Sequence, residues 1–180
     1  MRNTILLFLV VIHSLMAVAQ ENYTLTDKGG ITVDGSSTLH DWTVTANAYS
    51  GALALNDKVF NSISLEVDVI SILSTRGATM DKKTHNALKF EAFPKIKFEA
   101  KDVAFSEGDG QAIPGTLHIA GVGKEVVIQT RIQTLEGGIQ ISGSYTITLQ
   151  DFNIEPPTAM FGSIVVGDDV TVNFDLVFAK

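Results

Sequence analysis

Apolar and polar residues alternate with a period of two along most of this chain. From Asp41 onward Trp42, Val44, Ala46 and Ala48 alternate with Thr43, Thr45 and Asn47, and Ile63, Leu65, Val67 and Val69 alternate with Ser64, Glu66 and Asp68. The spacing recurs in Ile96, Phe98 and Ala100, in Leu117 and Ile119, in Val126 and Ile128, from Ile139 to Leu149, and from Val170 to Phe178. Successive side chains of a strand point to opposite faces, so each such strand has one dry face and one wet face. Antiparallel sheets are built from strands of this kind, whereas a parallel sheet covered on both faces needs continuous apolar runs. Turn residues separate the runs at Asp27-Lys28-Gly29-Gly30, Glu107-Gly108-Asp109-Gly110, Gly121-Val122-Gly123, Glu136-Gly137-Gly138 and Gly167-Asp168-Asp169. They leave little room for crossover helices. One stretch breaks the alternation: residues 78–90 place Met80, Thr84, Ala87 and Leu88 at helical spacing ahead of Pro94, which predicts one short helix.

Amphipathic strands in this number form either a two-sheet sandwich or a closed barrel. Long runs joined by tight turns favour an up-and-down barrel, which leaves no open edge. The predicted fold class is therefore all-β, an antiparallel barrel of about eight strands with one short helix. A barrel of about that size either fills with side chains or holds one small ligand. Small residues on the inward phase (Ala46, Ala48, Ala100, Gly143) leave room for a cavity without requiring one.

The first nineteen residues read differently. Arg2, the apolar run from Ile5 to Ile12, and Ala17-Val18-Ala19 form the charged, apolar and small-x-small regions of a secretory signal peptide. The apolar run is shorter than the roughly 20 residues of a membrane span. Gln20 rather than Cys follows the cut, which argues against a lipid anchor. The reading is an exported protein, periplasmic or secreted, with residues 1–19 removed and residues 20–180 forming one domain. Loss of Arg2 moves the formal charge from -7 to -8. An acidic surface disfavours nucleic acid and anionic membrane faces as primary partners. The chain has no cysteine, which excludes disulfides, thiol chemistry and cysteine metal sites.

Five segments in order resemble the YceI-like family. They are VDGSSTLHDWTV (Val33 to Val44), the Ile63-to-Val69 strand, MDKKTHNALKFEAFPKIKF (Met80 to Phe98), GTLHIAGVGKEVVI (Gly115 to Ile128), and DFNIEPP (Asp151 to Pro157) with the final VTVNFDLVF. The chain departs from the family at Gly123, where a Thr is frequent. The resemblance implies an exported protein with a lipocalin-like barrel. It also implies a bound isoprenoid, quinone-like or fatty-acyl molecule lying along the barrel axis, and no other cofactor.

On this reading the walls are Trp42, Val44, Ile63, Leu65, Val67, Phe98, Ile147 and Phe174, with Leu88, Phe93, Phe152 and Phe161 near the mouth. His40 and His85 are the candidate polar groups there. Two readings stand for His40-Asp41-Trp42, a polar and aromatic gate or a turn followed by a core tryptophan. The helix either covers the barrel or closes one end, with Leu88, Phe90 and Phe93 as apolar contacts at a pocket mouth or as core plug residues. The apolar loop from Asp151 to Gly162, stiffened by Pro156-Pro157, is either a lid or a segment folded onto the outside. The irregular spacing of His40, His85 and His118 argues against a metal site. Gly121-Val122-Gly123-Lys124 is followed by a strand and lacks the helix start of a phosphate loop. Nothing pairs a nucleophile with a base, so the chain reads as no enzyme. The expected function is to sequester or transport a long-chain apolar ligand without stable membrane insertion. The alternative is an interaction protein with a filled core and a protein partner at its loops. A homodimer stays open, since long barrels can share a face.

Overall fold

The structure, a computed structural model, describes residues 20–159 and 162–180. The proposed signal peptide, Met160 and Phe161 lie outside the described residues. Eleven strands and one α-helix are present among the described residues: β1 (Glu21–Ser37), β2 (Trp42–Ala46), β3 (Tyr49–Asn56), β4 (Val59–Asp68), β5 (Ile72–Ser74), α1 (Ala78–Ala87), β6 (Lys95–Ala104), β7 (Gly108–Ile119), β8 (Val122–Leu135), β9 (Gly138–Thr148), β10 (Thr158–Ala159) and β11 (Ile164–Ala179). All pairings are antiparallel, and β1 pairs with β11 to close the sheet. β2 with β3, and β4 with β5, each run as one broken strand, so the wall is an eight-stranded barrel. This is the architecture that the period-two pattern predicts.

The break between β2 and β3 corrects one expectation. The alternation from Asp41 runs on to Ala48, but the strand stops at Ala46 and Ala48 is exposed. The backbone turns a corner at Asn47, whose side-chain amide donates to the carbonyls of Thr45 (3.1 Å) and Ser71 (3.0 Å). Ser71 Oγ in turn accepts from Ala48 N at 2.9 Å. The corner lets β1 use two partners along one edge, β3 for Glu21 to Thr24 and β2 for Ile31 to Gly35.

Two predicted turns are instead bulges within long strands. Asp27 to Gly30 lies inside β1, where three residues oppose Val177 between the pairs Leu25–Phe178 and Gly29–Leu176. Gly29 has φ 93°, and a Cβ there would stand 2.1 Å from the Asp175 carbonyl oxygen. Gly167 to Asp169 is likewise the surplus on β11 between Val166 and Val170. Bulges and turns use the same residues because both need local bending. A bulge bends a strand without ending it, which a closed barrel requires.

α1 is shorter than the predicted residues 78–90. It ends at Ala87, and Lys89 adopts the left-handed conformation at φ 55°. Ser74 N donates to the Asp81 carboxylate at 2.7 Å and ties the helix to β5. None of its residues is fully buried, so it is a cover rather than a core plug. No helix among the described residues is long and apolar enough to cross a membrane.

The two ends of the barrel differ. At the end holding the N-terminus of β1 and the C-terminus of β11, Phe60, Phe178, Leu53, Ile132 and Ile139 are almost wholly buried. Phe60 also meets Phe105 edge to face at 5.1 Å. That end is packed shut. The opposite end carries the β1–β2 loop, α1 and β10.

Candidate functional site

Inward-facing side chains from every side of the barrel enclose a cavity of about 350 Å³ that opens beside α1. On β11 the facing residues run from Ile164 to Phe178. At about 3.3 Å per residue and a strand tilt of about 35–45°, they span roughly 30 Å of the axis. Spread over that length, the volume makes a tube much longer than it is wide. The site is a narrow tunnel rather than a chamber. Its deeper wall is apolar (Val44, Ile63, Phe98, Ile113, Ile147, Phe174) apart from the Tyr145 phenol and the Thr130 hydroxyl. That hydroxyl is satisfied by donating to the Gln111 carbonyl at 2.9 Å.

Trp42, Val44, Ile63, Leu65, Val67, Leu88, Phe98, Ile147 and Phe174 all face this tunnel. Trp42 stands at the mouth. Its Nε1 donates to the Ser36 carbonyl at 3.0 Å, and its ring lies so close over Gly35 that a Cβ there would be 2.2 Å from Cζ2. The absent side chain at Gly35 is what allows the indole to lie along the wall.

His40 also lines the mouth. Its Nδ1 donates to the Asp41 carbonyl at 3.1 Å, which leaves Nε2 to accept from Arg76 Nη1. Arg76 Nη2 reaches the same Asp41 carbonyl at 3.5 Å. Ser37 Oγ donates to the backbone carbonyl of His40 at 2.7 Å and not to its imidazole, so the two do not form a nucleophile–base pair.

Three expected site residues do not line the tunnel. Phe93 is 40 % exposed and lies over the β7–β8 turn at Gly121, because the chain between Lys89 and Pro94 leaves the barrel mouth along its outer side. Phe152 is buried behind the wall, beneath Lys124, whose ammonium is 5.9 Å from the ring centre and pairs with Asp151 at 2.7 Å. Ile154, two residues on, faces the tunnel instead. His85 is spent on docking the helix, its Nε2 donating to the Ile72 carbonyl at 2.9 Å. Phe161 lies outside the described residues. His118 is exposed and its ring covers Gly123, occupying the space that a larger residue would fill there.

Sequence reasoning missed Arg76 and Lys83, both at the mouth. Lys83 had a signal. Met80, Thr84, Ala87 and Leu88 all face the tunnel from one side of α1, and Lys83 belongs to the same i, i+3, i+4, i+7, i+8 series. Arg76 had none, since it sits in a turn that the β2–β5 pairing brings alongside His40.

A closed antiparallel barrel, packed shut at one end and entered at the other by an apolar tunnel, defines a lipocalin-like architecture built around an internal site. The chain belongs to the YceI family: the YceI-like domain profile matches residues 23–178. Solved structures share the fold. BcnA of Burkholderia cenocepacia is 17% identical, with a TM-score of 0.71 covering 83% of this chain and 96% of that one. A polyisoprenoid binding domain from Saccharophagus degradans, implicated in plant cell wall breakdown, is also 17% identical, with a TM-score of 0.71 over 88% and 98% of the two chains. The YceI protein of Campylobacter jejuni is 21% identical, with a TM-score of 0.61 over 74% and 81%. At these identities the likeness is one of fold. No curated protein matches the chain.

Proposed function

We propose that this protein binds a long-chain apolar molecule of polyisoprenoid, isoprenoid-quinone or fatty-acyl type in its tunnel and sequesters or carries it. The tunnel is the observation that carries this reading: about 350 Å³ of apolar space, open at one end, in an otherwise packed barrel. Folding leaves contacts unmade along such a space, and an apolar ligand supplies them. Its elongated shape favours one extended chain over a fused-ring compound.

The energetics favour length. Each buried methylene contributes about 0.8 kcal/mol, whereas association costs an estimated 4–15 kcal/mol. A single five-carbon unit, gaining about 4 kcal/mol, barely binds; about fifteen carbons gain roughly 12 kcal/mol. The polyisoprenoid binding described for the Saccharophagus degradans domain, which has the same fold, agrees with this preference. A filled barrel acting only through its loops fits the hollow interior poorly.

We read the protein as a carrier rather than a catalyst. The ring nitrogens of His40 are engaged by Arg76 and the Asp41 carbonyl, and His85 is engaged by Ile72. Residues 1–19 support an exported protein that works outside the cytoplasm, in the periplasm or secreted. Native mass spectrometry of protein purified from that compartment, followed by organic extraction, tests the proposal. The expected result is an adduct of several hundred daltons that leaves with solvent. A bare mass, with no later uptake of polyprenyl or fatty-acyl probes, overturns it.

A further inference from the structure

We infer that the bound molecule is an anionic amphiphile whose phosphate or carboxylate head is held at the tunnel mouth by Arg76 and Lys83, with His40 positioning Arg76. The inference rests on the carrier reading and adds the chemistry of the headgroup.

The charge distribution carries it. The chain has 20 acidic residues against 13 lysines and arginines. Among the described residues, none of the acids lines the tunnel, whereas Arg76, Lys83 and His40 all do, and all at the open end. Neither Arg76 nor Lys83 enters a salt bridge among the described residues. The Arg76 guanidinium donates only to neutral acceptors, the His40 imidazole and the Asp41 carbonyl, among the described residues. Lys83 Nζ reaches only the Thr158 carbonyl, at 3.4 Å. The carboxylate of Asp81, next to these groups on α1, is taken by Ser74 N. Two cations with no salt-bridge partner among the described residues therefore stand at the opening of an apolar tunnel in an acidic protein.

The geometry suits a headgroup. The guanidinium is planar, and with His40 accepting at Nη1 it keeps further N–H donors for two oxygens of a carboxylate or phosphate. The Asp41 carbonyl fixes the His40 tautomer, so Nε2 presents a lone pair and holds the fork in place. Lys83 shares the tunnel-facing side of α1 with Met80, Thr84 and Ala87. Its stem runs along apolar wall while its ammonium stays at the rim. The tunnel supplies most of the binding energy, and the two cations select which chain enters and orient it head outward.

The test compares matched ligands on delipidated protein: stearic acid against stearyl alcohol, and a polyprenyl monophosphate against its polyprenol. Each anion is expected to bind about tenfold more tightly than its neutral partner, with the advantage shrinking in high salt. In Arg76→Gln/Lys83→Gln the two members of each pair should bind alike, and an unchanged urea midpoint of the delipidated variant reports an intact fold. His40→Ala should reduce the ratio of anion to alcohol affinity. A larger advantage in the phosphate pair or in the carboxylate pair identifies which head the site prefers. Equal binding of anion and alcohol by the wild type, or an anion preference that survives in the double variant, overturns the inference and leaves the carrier reading standing. Failure of every chain to bind removes the carrier reading, and this inference with it.

Discussion

Ala46→Phe tests directly whether the tunnel is empty space that a ligand fills. Ala46 is buried, faces the tunnel, and lies in the wall between Ile31 of β1 and Ile72 of β5. The substitution adds about six carbons to the tunnel wall, so a bound chain must give up the space that the ring takes. Displacing about six ligand carbons at ~0.8 kcal/mol each removes about 5 kcal/mol of binding. That corresponds to a loss of a thousandfold or more in affinity. Stability should move the other way. In a filled core the same change would cost about 1–3 kcal/mol through overpacking. In an empty tunnel the ring gains contacts, and burial of a side chain this size contributes about 1.5–3 kcal/mol. With a urea slope of ~1–3 kcal/mol/M, the midpoint of the apo protein should rise by about 1 M. Binding is read by displacement of a fluorescent polyene fatty acid, and stability by urea unfolding of delipidated protein. A variant that binds like the wild type, or whose midpoint falls, refutes the reasoning.

Three further outcomes are expected. Gly35→Ala places a methyl group where the Trp42 ring now lies, so the indole must swing off the wall. Its fluorescence should shift and stability should fall by about 1–3 kcal/mol; an unchanged emission spectrum contradicts the packing described. On the outer face, the ammonium of Lys95 first and then that of Lys97 hold the Glu66 carboxyl down to about 2. A folded-state value below the unfolded one stabilises above the ordinary carboxylate range and is lost as pH falls towards 2. Wild type and Glu66→Gln should therefore differ near pH 6, by less than about 1 kcal/mol because the cluster is exposed. The difference should vanish near pH 2 and shrink in molar salt; a gap that widens in acid refutes the assignment. Finally, the proposed removal of residues 1–19 predicts a protein whose measured mass begins at Gln20, and recovery of an intact Met1 form from the export compartment counts against it.

Alternation along the chain made the antiparallel barrel legible because inside and outside differ in polarity, and polarity is what a sequence displays. Bending is less visible. Gly29 and Gly167 read as turns because a bulge and a turn ask for the same backbone freedom, and only pairing across the β1–β11 seam separates them. Depth is invisible to alternation altogether. Leu53 and Ile139 pack one end shut while Phe98 and Phe174 border open space, yet all four follow the inward phase of their strands. Whether opposite walls touch depends on radius and on what crosses the axis, and neither is a property of one strand. The mouth was half legible. Lys83 stands within an apolar helical series where a charge is conspicuous, but Arg76 reaches the site only because the corner at Asn47 and Ser71 folds β5 back against β2. The walls can exchange one apolar residue for another and still enclose a tunnel, whereas the position of Arg76 depends on that corner and on the tautomer of His40. On the proposed reading, discrimination among long-chain ligands therefore rests on these few polar contacts, while the apolar wall contributes most of the affinity.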